Sequence, residues 1–482
     1  MNRRLIVNYV GLILIIESVL MAPALIIALF KSERASAFAF AVTMFVLLLF
    51  GIVFIKLKAW NKRIYAKEGF VIVALSWIFM SVFGCLPFYL SGEIPSIVDS
   101  FFETVSGFTT TGCTILTNIE ILPMSLLYWR SFTHWLGGLG VLVFMLAIVP
   151  LSEGSSLRIM RAESPGPVVG KLVPKIRHTA RILYIIYIAL TVIETIMLLC
   201  GGMPLFDSVV HAFGTAGTGG FSIKNAGIGA YDSNYLQTVI SVFMLLFGVN
   251  FNVYYLILTK NFKSAFKSSE LKLYVGMIVF CTVTIAINTL SYFDTVREAL
   301  HHSLFQVAAI ITTTGYSTTD FNLWPQYSRV LLLLLMTIGA CAGSTGGGTK
   351  VARLLMVFKS VRNYLQKMLH PRSVKLIKID GKVTAESTIN EVFVFYIAFA
   401  LISAVSIILV SFENFDFDTT ISSVVSCMGN IGPGLSMVGP VGNFSQFSDF
   451  SKLIFCVDML FGRLEVFPML ILFSPSLWRR GK

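Results

Sequence analysis

The chain has 482 residues, of which 56% are hydrophobic and only 13% are charged. Soluble domains carry about 25% charged residues, so this composition excludes an ordinary soluble enzyme or binding module. The mean hydropathy of +0.80 indicates an integral membrane protein. A net charge of +12 would favour nucleic acid as a partner of a soluble protein. Here the charge lies between apolar segments, so it indicates membrane topology and no nucleic acid partner is expected.

Ten apolar segments are long enough to cross a bilayer as helices, because about 20 residues span the hydrocarbon core. The sequence therefore predicts an all-α polytopic membrane protein with ten transmembrane helices. The first two form an extra N-terminal helix pair within 1–57, which we interpret as retained rather than cleaved. The predicted spans are 5–30, 36–57, 69–90, 127–150, 181–201, 235–259, 271–293, 328–362 (interrupted), 388–411 and 450–474.

Lysines and arginines are unevenly distributed between these spans. With a cytoplasmic N-terminus, 29 of the 37 lie in inner segments, which is a strong positive-inside bias. Both termini are then expected in the cytoplasm. Fourteen of the 25 acidic residues fall on the outer side, where they would attract cations to the outer mouth.

Motifs of catalytic or cofactor-binding centres are missing from the sequence. It has no Walker A motif, no GxGxxG after a strand and no HExxH. The seven cysteines are scattered, without CxxC or metal-site spacing. We therefore expect neither enzyme activity nor an organic cofactor.

One pattern occurs four times in the predicted outer loops. In each copy, one or two residues suited to a helix N-cap are followed by about ten mostly apolar residues and then by a loop containing glycine. The copies are "DSFFETVSGFTTTGCT" from Asp99, "DSVVHAFGTAGTGGFS" from Asp207, "HSLFQVAAIITTTGYS" from His302 and "TTISSVVSCMGNIGPG" from Thr419. They align on Gly112, Gly220, Gly315 and Gly432, at intervals of 108, 95 and 117 residues.

A short helix of this length cannot cross a bilayer, and non-helical backbone at membrane depth survives only inside protein or beside water. The sequence therefore predicts four pseudo-symmetric helix–pore-loop–helix repeats around one pore. Glycine permits the backbone angles that point successive carbonyls at one axis, and rings of carbonyls replace the hydration shell of a cation. The predicted repeats cover 69–150, 181–259, 271–362 and 388–474.

Over roughly 69–474 the chain resembles the Trk/Ktr/HKT potassium transporters. The four aligned glycines, "CAGSTGGGTK" and "GRLEVFP" carry this resemblance, and the extra helix pair is similar to that of the TrkH branch. The resemblance implies K⁺ uptake by a homodimer in the bacterial inner membrane, with one pore per protomer. It also implies regulation by a cytosolic TrkA-type ring that binds nucleotides.

The resemblance further implies which residues bind K⁺. In plant relatives a serine in place of the first filter glycine accompanies Na⁺ permeation, so Gly112 favours K⁺. The fourth copy, "NIGPG", departs from the Thr-Gly pattern of the others. The implied filter consists of Thr110, Thr111 and Gly112; Thr218, Gly219 and Gly220; Thr313, Thr314 and Gly315; and Asn430, Ile431 and Gly432.

The segment "IGACAGSTGGGTK" at 338–350 interrupts a predicted span near the middle of the membrane. The resemblance implies an intramembrane gate here, and glycines agree with it because they weaken helix and permit alternative backbones. A packing kink is the alternative. The gate residues are Gly339, Gly343, Ser344, Thr345, Gly346, Gly347, Gly348, Thr349 and Lys350.

Arg463 is a charge in the middle of a predicted span, where charges are costly and usually functional. We expect its guanidinium below the filter, where it would limit cation flux. An ion pair with Asp458 or Glu465 is the alternative. For the whole chain, the alternative function is a coupled secondary transporter of another solute or of sodium, which more often shows inverted repeats and buried carboxylates. The basic inner loops offer a further surface for the cytosolic partner or for anionic membrane lipid.

Overall fold

The computed structural model describes residues 2–57, 65–140, 176–372 and 376–475. Part of the predicted span 127–150 and the basic segment 158–175 therefore lie outside the described residues. The N-terminal helices are α1 (Arg3–Leu20), α2 (Ala22–Phe30) and α3 (Arg34–Lys56). They form an antiparallel pair in which Gly11 and Gly51 pack backbone against backbone, since a Cβ on either would lie 2.9 Å from the other's carbonyl oxygen.

The remaining helices follow in four sets, each of which contains one short helix that ends in a glycine loop. The first set is α4 (Ala66–Gly84), α5 (Leu86–Leu90), α6 (Ile97–Phe108) and α7 (Met124–Leu139). The second is α8 (Ile176–Cys200), α9 (Leu205–Gly217), α10 (Asn234–Phe247), α11 (Phe251–Leu258) and α12 (Phe262–Phe266).

The third set is α13 (Ser269–Asn288), α14 (Val296–Ile311), α15 (Gln326–Met336) and α16 (Val351–Leu369). A small antiparallel hairpin follows, in which β1 (Lys378–Ile379) pairs with β2 (Lys382–Val383). The fourth set is α17 (Glu386–Val410), α18 (Phe417–Gly429), α19 (Asp449–Arg463) and α20 (Phe467–Leu472). Single 3₁₀ turns lie at Gly227–Ala230, Leu290–Tyr292, Phe321–Leu323, Ser411–Glu413 and Ser436–Val438.

Among the described residues, six helices are long and apolar enough to cross a membrane, or seven if one bent pair counts as a span. The bent pair is α10 and α11, which meet at 90°, whereas the sequence predicted one straight helix over 235–259. The bend is held from outside: the carbonyl of Gly248 accepts a hydrogen bond from the amide of Cys341 at 3.1 Å instead of continuing the helix. The predicted spans 328–362 and 450–474 are also broken, at 337–350 and 464–466.

The short helices begin earlier than the sequence pattern indicated. The N-caps were expected within the pairs Asp99–Ser100, Asp207–Ser208, His302–Ser303 and Thr419–Thr420. The observed N-cap positions are Ser96, Pro204, Thr295 and Asp416. The side chains of Ser96, Thr295 and Asp416 accept a backbone N–H in the first turn, as N-caps do. Asp99 and Asp207 lie inside the first turn, where their charge favours the helix N-terminus.

Candidate functional site

The four short helices α6, α9, α14 and α18 run into loops with one backbone signature. We call them loop 1 (110–112), loop 2 (218–220), loop 3 (313–315) and loop 4 (430–432). The first residue of each is left-handed, with φ between 53° and 60°, and its last residue is a glycine with φ between 77° and 104°. The middle residue is not left-handed. An alternation of this kind turns successive peptide groups the same way, which is the arrangement that a carbonyl-lined loop requires.

The four loops are neighbours in a closed ring. A Cβ on the glycine of each loop would meet the middle carbonyl oxygen of another, from loop 1 to 2, 2 to 3, 3 to 4, and 4 back to 1. At loops 1, 2 and 3 the added atom would overlap the oxygen outright, whereas at loop 4 it would lie 2.9 Å away. The glycine–carbonyl pairs are Gly112 with Gly219, Gly220 with Thr314, Gly315 with Ile431, and Gly432 with Thr111.

Loop 4 differs from the others in residue type but not in backbone. Asn430 takes the left-handed position that threonines hold elsewhere, and asparagine tolerates that conformation well. Its side-chain amide donates to Thr111 Oγ1 at 2.9 Å and to the carbonyl of Met459 at 2.9 Å. Asn430 therefore closes the ring onto loop 1, and its departure from the sequence pattern leaves the register intact.

An open cavity with a volume of about 130 Å³ lies on the glycine side of the ring. Its lining includes all four loop glycines, Gly112, Gly220, Gly315 and Gly432. On the other side of the ring lies the segment 337–350, which we call the intramembrane loop. The ring thus lies between an open cavity on one side and the intramembrane loop on the other.

The intramembrane loop packs directly against the ring. The amide of Gly347 donates to Thr313 Oγ1 at 2.6 Å. A Cβ on Gly347 would lie 2.7 Å from the carbonyl oxygen of Gly429, and one on Gly346 would lie 2.8 Å from that of Thr312. Residues 344–350 are all buried. Small residues are needed here because the loop touches the ends of α14 and α18.

The second and third sets of helices hold the intramembrane loop from its other side. The amide of Ala342 donates to Glu270 Oε1 at 2.6 Å. The amide of Phe251, at the bend between α10 and α11, donates to the carbonyl of Gly343 at 3.0 Å. The Lys350 amide bonds the carbonyl of Ile338 at 2.8 Å, and its side-chain ammonium turns back to donate to the carbonyl of Gly346.

Arg463 lies between loop 1 and the intramembrane loop. Its guanidinium donates to Thr110 Oγ1 at 3.2 Å and to the carbonyl of Thr345 at 2.9 Å. It also donates to the carbonyls of Gly137 and Gly138 at the end of α7. The two carboxylates considered from sequence are engaged elsewhere, since Asp458 accepts from Ser406 at 2.7 Å and Glu465 pairs with Arg353 at 2.5 Å.

Two features of this site were missed in the sequence. The first is the bend between α10 and α11; a "GVN" at 248–250 within the predicted span 235–259 was its only sign. The second is a buried ion pair between Glu103 of α6 and Arg130 of α7, with Nε and Oε1 2.6 Å apart. An arginine within a predicted apolar span was the available indication.

A family model described as TrkH, cation transport protein, matches residues 36–480. The Trk system potassium uptake protein TrkH of Salmonella typhimurium is 37% identical over 99% of this chain and 100% of its own length. TrkG of Escherichia coli, also a Trk system potassium uptake protein, is 31% identical over 99% of both chains. The crystal structure of the potassium transporter TrkH from Vibrio parahaemolyticus superposes with a TM-score of 0.89 at 33% identity, covering 99% of this chain and 100% of that one.

These relatives are transport proteins and not enzymes, as the sequence predicted. The identities exceed 30% and the coverage is nearly complete for both partners of each comparison. Together with the long apolar helices, they identify an integral membrane transporter. The chain belongs to the TrkH family of cation transport proteins.

Proposed function

We propose that the chain takes up potassium ions through the ring of loops 1 to 4, which acts as the selectivity filter. The closed ring is the observation that carries the proposal, because four sets of inward carbonyls can replace the hydration shell of a cation. Helices α6, α9, α14 and α18 end at the ring, so their partially negative C-termini also favour a cation there. The names of the similar Trk proteins support potassium as the ion.

The chain is organised as an extra helix pair at 1–57 and four repeats at 69–150, 181–259, 271–362 and 388–474. Each repeat contains a span, a short helix, a filter loop and a second span, which gives ten spans in all. The shared backbone signature of the four loops supports this division. The second spans at 235–259, 328–362 and 450–474 are bent or broken. This agrees with the division into repeats, because each breaks where it meets the filter or the intramembrane loop.

The intramembrane loop is the gate in this proposal. It lies against the underside of the ring, and hydrogen bonds from other helices hold it there. Its glycines permit alternative backbone angles, as a gate requires. Lys350 and Arg463 add two positive charges below the filter, where they oppose the passage of cations.

Control of the gate comes from the cytoplasm in this proposal, through a TrkA-type ring of nucleotide-binding domains. The hairpin β1–β2 reaches toward the gate: Asp380 accepts the amide of Ser269 at 2.6 Å, and the adjacent Glu270 accepts the amide of Ala342. The chain works as a homodimer in the bacterial inner membrane with both termini in the cytoplasm. The excess of lysine and arginine in the inner segments supports this orientation.

The filter assignment is tested by the reversal potential of the purified protein in bilayers with mixed K⁺ and Na⁺. We expect a clear preference for K⁺, and a weaker one in Gly112→Ser, whose side chain would push against the carbonyl of Gly219. Gly92→Ser is the matched control, because Gly92 has a similar φ of 81° but open space around its Cβ position. Wild-type protein without alkali-cation flux would overturn the proposal, and uptake that requires an organic solute would favour a coupled secondary transporter.

The gate assignment is tested by deleting residues 344–346. The shortened segment can no longer reach the ring, so we expect ⁸⁶Rb⁺ flux into proteoliposomes that no longer depends on the cytosolic ring of the partner. Selectivity should persist, since the filter loops are unchanged. Flux that stays under the control of the partner would remove the gate from this segment.

A further inference from the structure

The buried ion pair of Glu103 and Arg130 lies at the junction between loops 1 and 2. Both side chains are at most 2% exposed. Burying two charges is costly unless further hydrogen bonds satisfy them, and here those hydrogen bonds lead to the segments that follow each loop. The pair therefore does more than join α6 to α7.

Glu103 holds the segment that leaves loop 1. Its carboxylate accepts the hydroxyl of Thr114 at 2.9 and 3.0 Å and the amide of Ile115 at 3.0 Å. Thr114 is two residues beyond Gly112, so the carboxylate fixes the outer end of loop 1 against the helix that precedes the loop.

Arg130 holds the segment that leaves loop 2. Its Nη1 donates to the carbonyl of Ser222 at 2.9 Å, and its guanidinium lies 3.5 Å from the centre of the Phe221 ring. Ser222 is two residues beyond Gly220, so the two contacted segments occupy equivalent positions in their repeats. One buried ion pair thus links the outer ends of two filter loops.

A second side chain of α7 reinforces the same junction one helical turn away. His134 contacts the carbonyl of Gly107 through Nδ1 at 2.7 Å, and its Nε2 accepts the amide of Phe221 at 3.2 Å. Residues 130 and 134 share one face of α7. Helix α7 is therefore fitted against both α6 and the segment after loop 2 at two depths.

We propose that Glu103 and Arg130 are positioning residues for ion selectivity, which fix the separation between the carbonyls of loop 1 and loop 2. The inference rests on the proposed filter function. The carbonyl of Gly219 is packed against Gly112, so any movement of one outer segment relative to the other changes the distance between oxygens that face the same ion. Discrimination between cations of different radius depends on those distances and on the field of the oxygens.

The proposal is tested by reversal potentials in mixed K⁺ and Na⁺ for Glu103→Gln, Arg130→Gln and the double variant. A single change leaves an uncompensated buried charge, whereas the double variant removes both charges and the strong ties to the outer segments. We expect the K⁺ over Na⁺ permeability ratio to fall at least about threefold in all three. A purely electrostatic role predicts that the double variant regains the wild-type ratio, and that result would overturn the proposal.

Two further variants keep the test decisive. Thr114→Val removes one hydroxyl contact to Glu103 without touching a charge, so we expect a smaller fall in the ratio even if the charge variants fold poorly.

The ion pair of Lys452 and Asp99 is the matched control. It also joins α6 to a neighbouring helix, at 2.6 Å and with Lys452 only 6% exposed, but its contact lies at the first turn of α6, away from the loop at the other end of that helix.

We expect Lys452→Met to lower the unfolding temperature without changing the permeability ratio. An unchanged ratio in folded Thr114→Val and Arg130→Gln would overturn the proposal, as would an equal fall in Lys452→Met. These outcomes differ from failure of the proposed function, which would appear as a wild-type protein without K⁺-selective current.

Discussion

The ring of loops 1 to 4 and the intramembrane loop are both rich in glycine and left-handed at several positions, yet they are held in different ways. The ring is closed by backbone against backbone, with each glycine packed on a carbonyl of another loop. The intramembrane loop also packs backbone against backbone, at Gly346 and Gly347, but separate hydrogen bonds tie it to other helices, including those of Glu270 and Arg463. Each of these hydrogen bonds can break on its own, whereas the contacts of the ring form a closed circuit.

In the proposed mechanism, this difference distinguishes the filter, which stays in place, from the gate, which moves. Movement of one of the four loops would disturb both of its neighbours, so the ring resists any change as a unit. Movement of the intramembrane loop breaks hydrogen bonds to several helices, each with a net contribution of roughly 0.5–1.5 kcal/mol. Glycine therefore serves close packing in both regions, and in the intramembrane loop it also permits alternative backbone angles.

The largest effect on ion uptake is expected from a methyl group added to the ring. Gly220→Ala would place a Cβ on the carbonyl oxygen of Thr314, and we expect ⁸⁶Rb⁺ uptake by folded protein to fall at least about tenfold. A left-handed alanine also costs of the order of 1–3 kcal/mol in backbone strain. Gly202→Ala controls for that strain, because Gly202 has a φ of 86° and open space at its Cβ position. Equal uptake by the two variants would show that the ring is not closely packed.

The next largest effect is expected at Arg463, which touches both regions. Arg463→Ala removes a positive charge below the filter and the bond to the carbonyl of Thr345, so we expect single-channel current or ⁸⁶Rb⁺ flux to rise severalfold. The flux should rise less in Arg463→Lys. Lysine keeps the positive charge but lacks the several donor groups with which arginine reaches several acceptors at once. Reduced flux in well-folded Arg463→Ala would mean that the residue supports the pore rather than obstructs it.

The sequence predicted the ring better than the parts that hold it. Gly112, Gly220, Gly315 and Gly432 could be aligned because each repeat solves the same local problem, a short helix that ends in a left-handed turn. The interruption at 338–350 was also visible, since glycine and threonine are conspicuous in an apolar span. Such features can be predicted because each depends on residues that are close together in the sequence.

The ties between repeats were not predictable in the same way. Glu103 and Arg130 are 27 residues apart in the sequence, and Glu270 and Ala342 are 72 apart. Neither separation predicts that the two residues are in contact. The N-caps of the short helices were misplaced for a related reason. Asp99 and Asp207 suit either a cap or the first turn, and only the packing of the preceding loop decides between the two positions.

The smallest and most specific test concerns Glu270, which ties the intramembrane loop to the start of α13. Glu270→Ala leaves the amide of Ala342 without its acceptor. Loss of such a tie by a movable element should favour release, and about 1 kcal/mol corresponds to about fivefold in the equilibrium. We therefore expect ⁸⁶Rb⁺ flux in the absence of the cytosolic partner to rise by about two- to fivefold, with unchanged selectivity. Glu386→Ala is the control, because Glu386 likewise stands in the first turn of a long apolar helix, α17, but is exposed. If Glu270→Ala altered selectivity instead of basal flux, the intramembrane loop would have to be part of the filter's own support, and the two regions could no longer be regarded as mechanically separate.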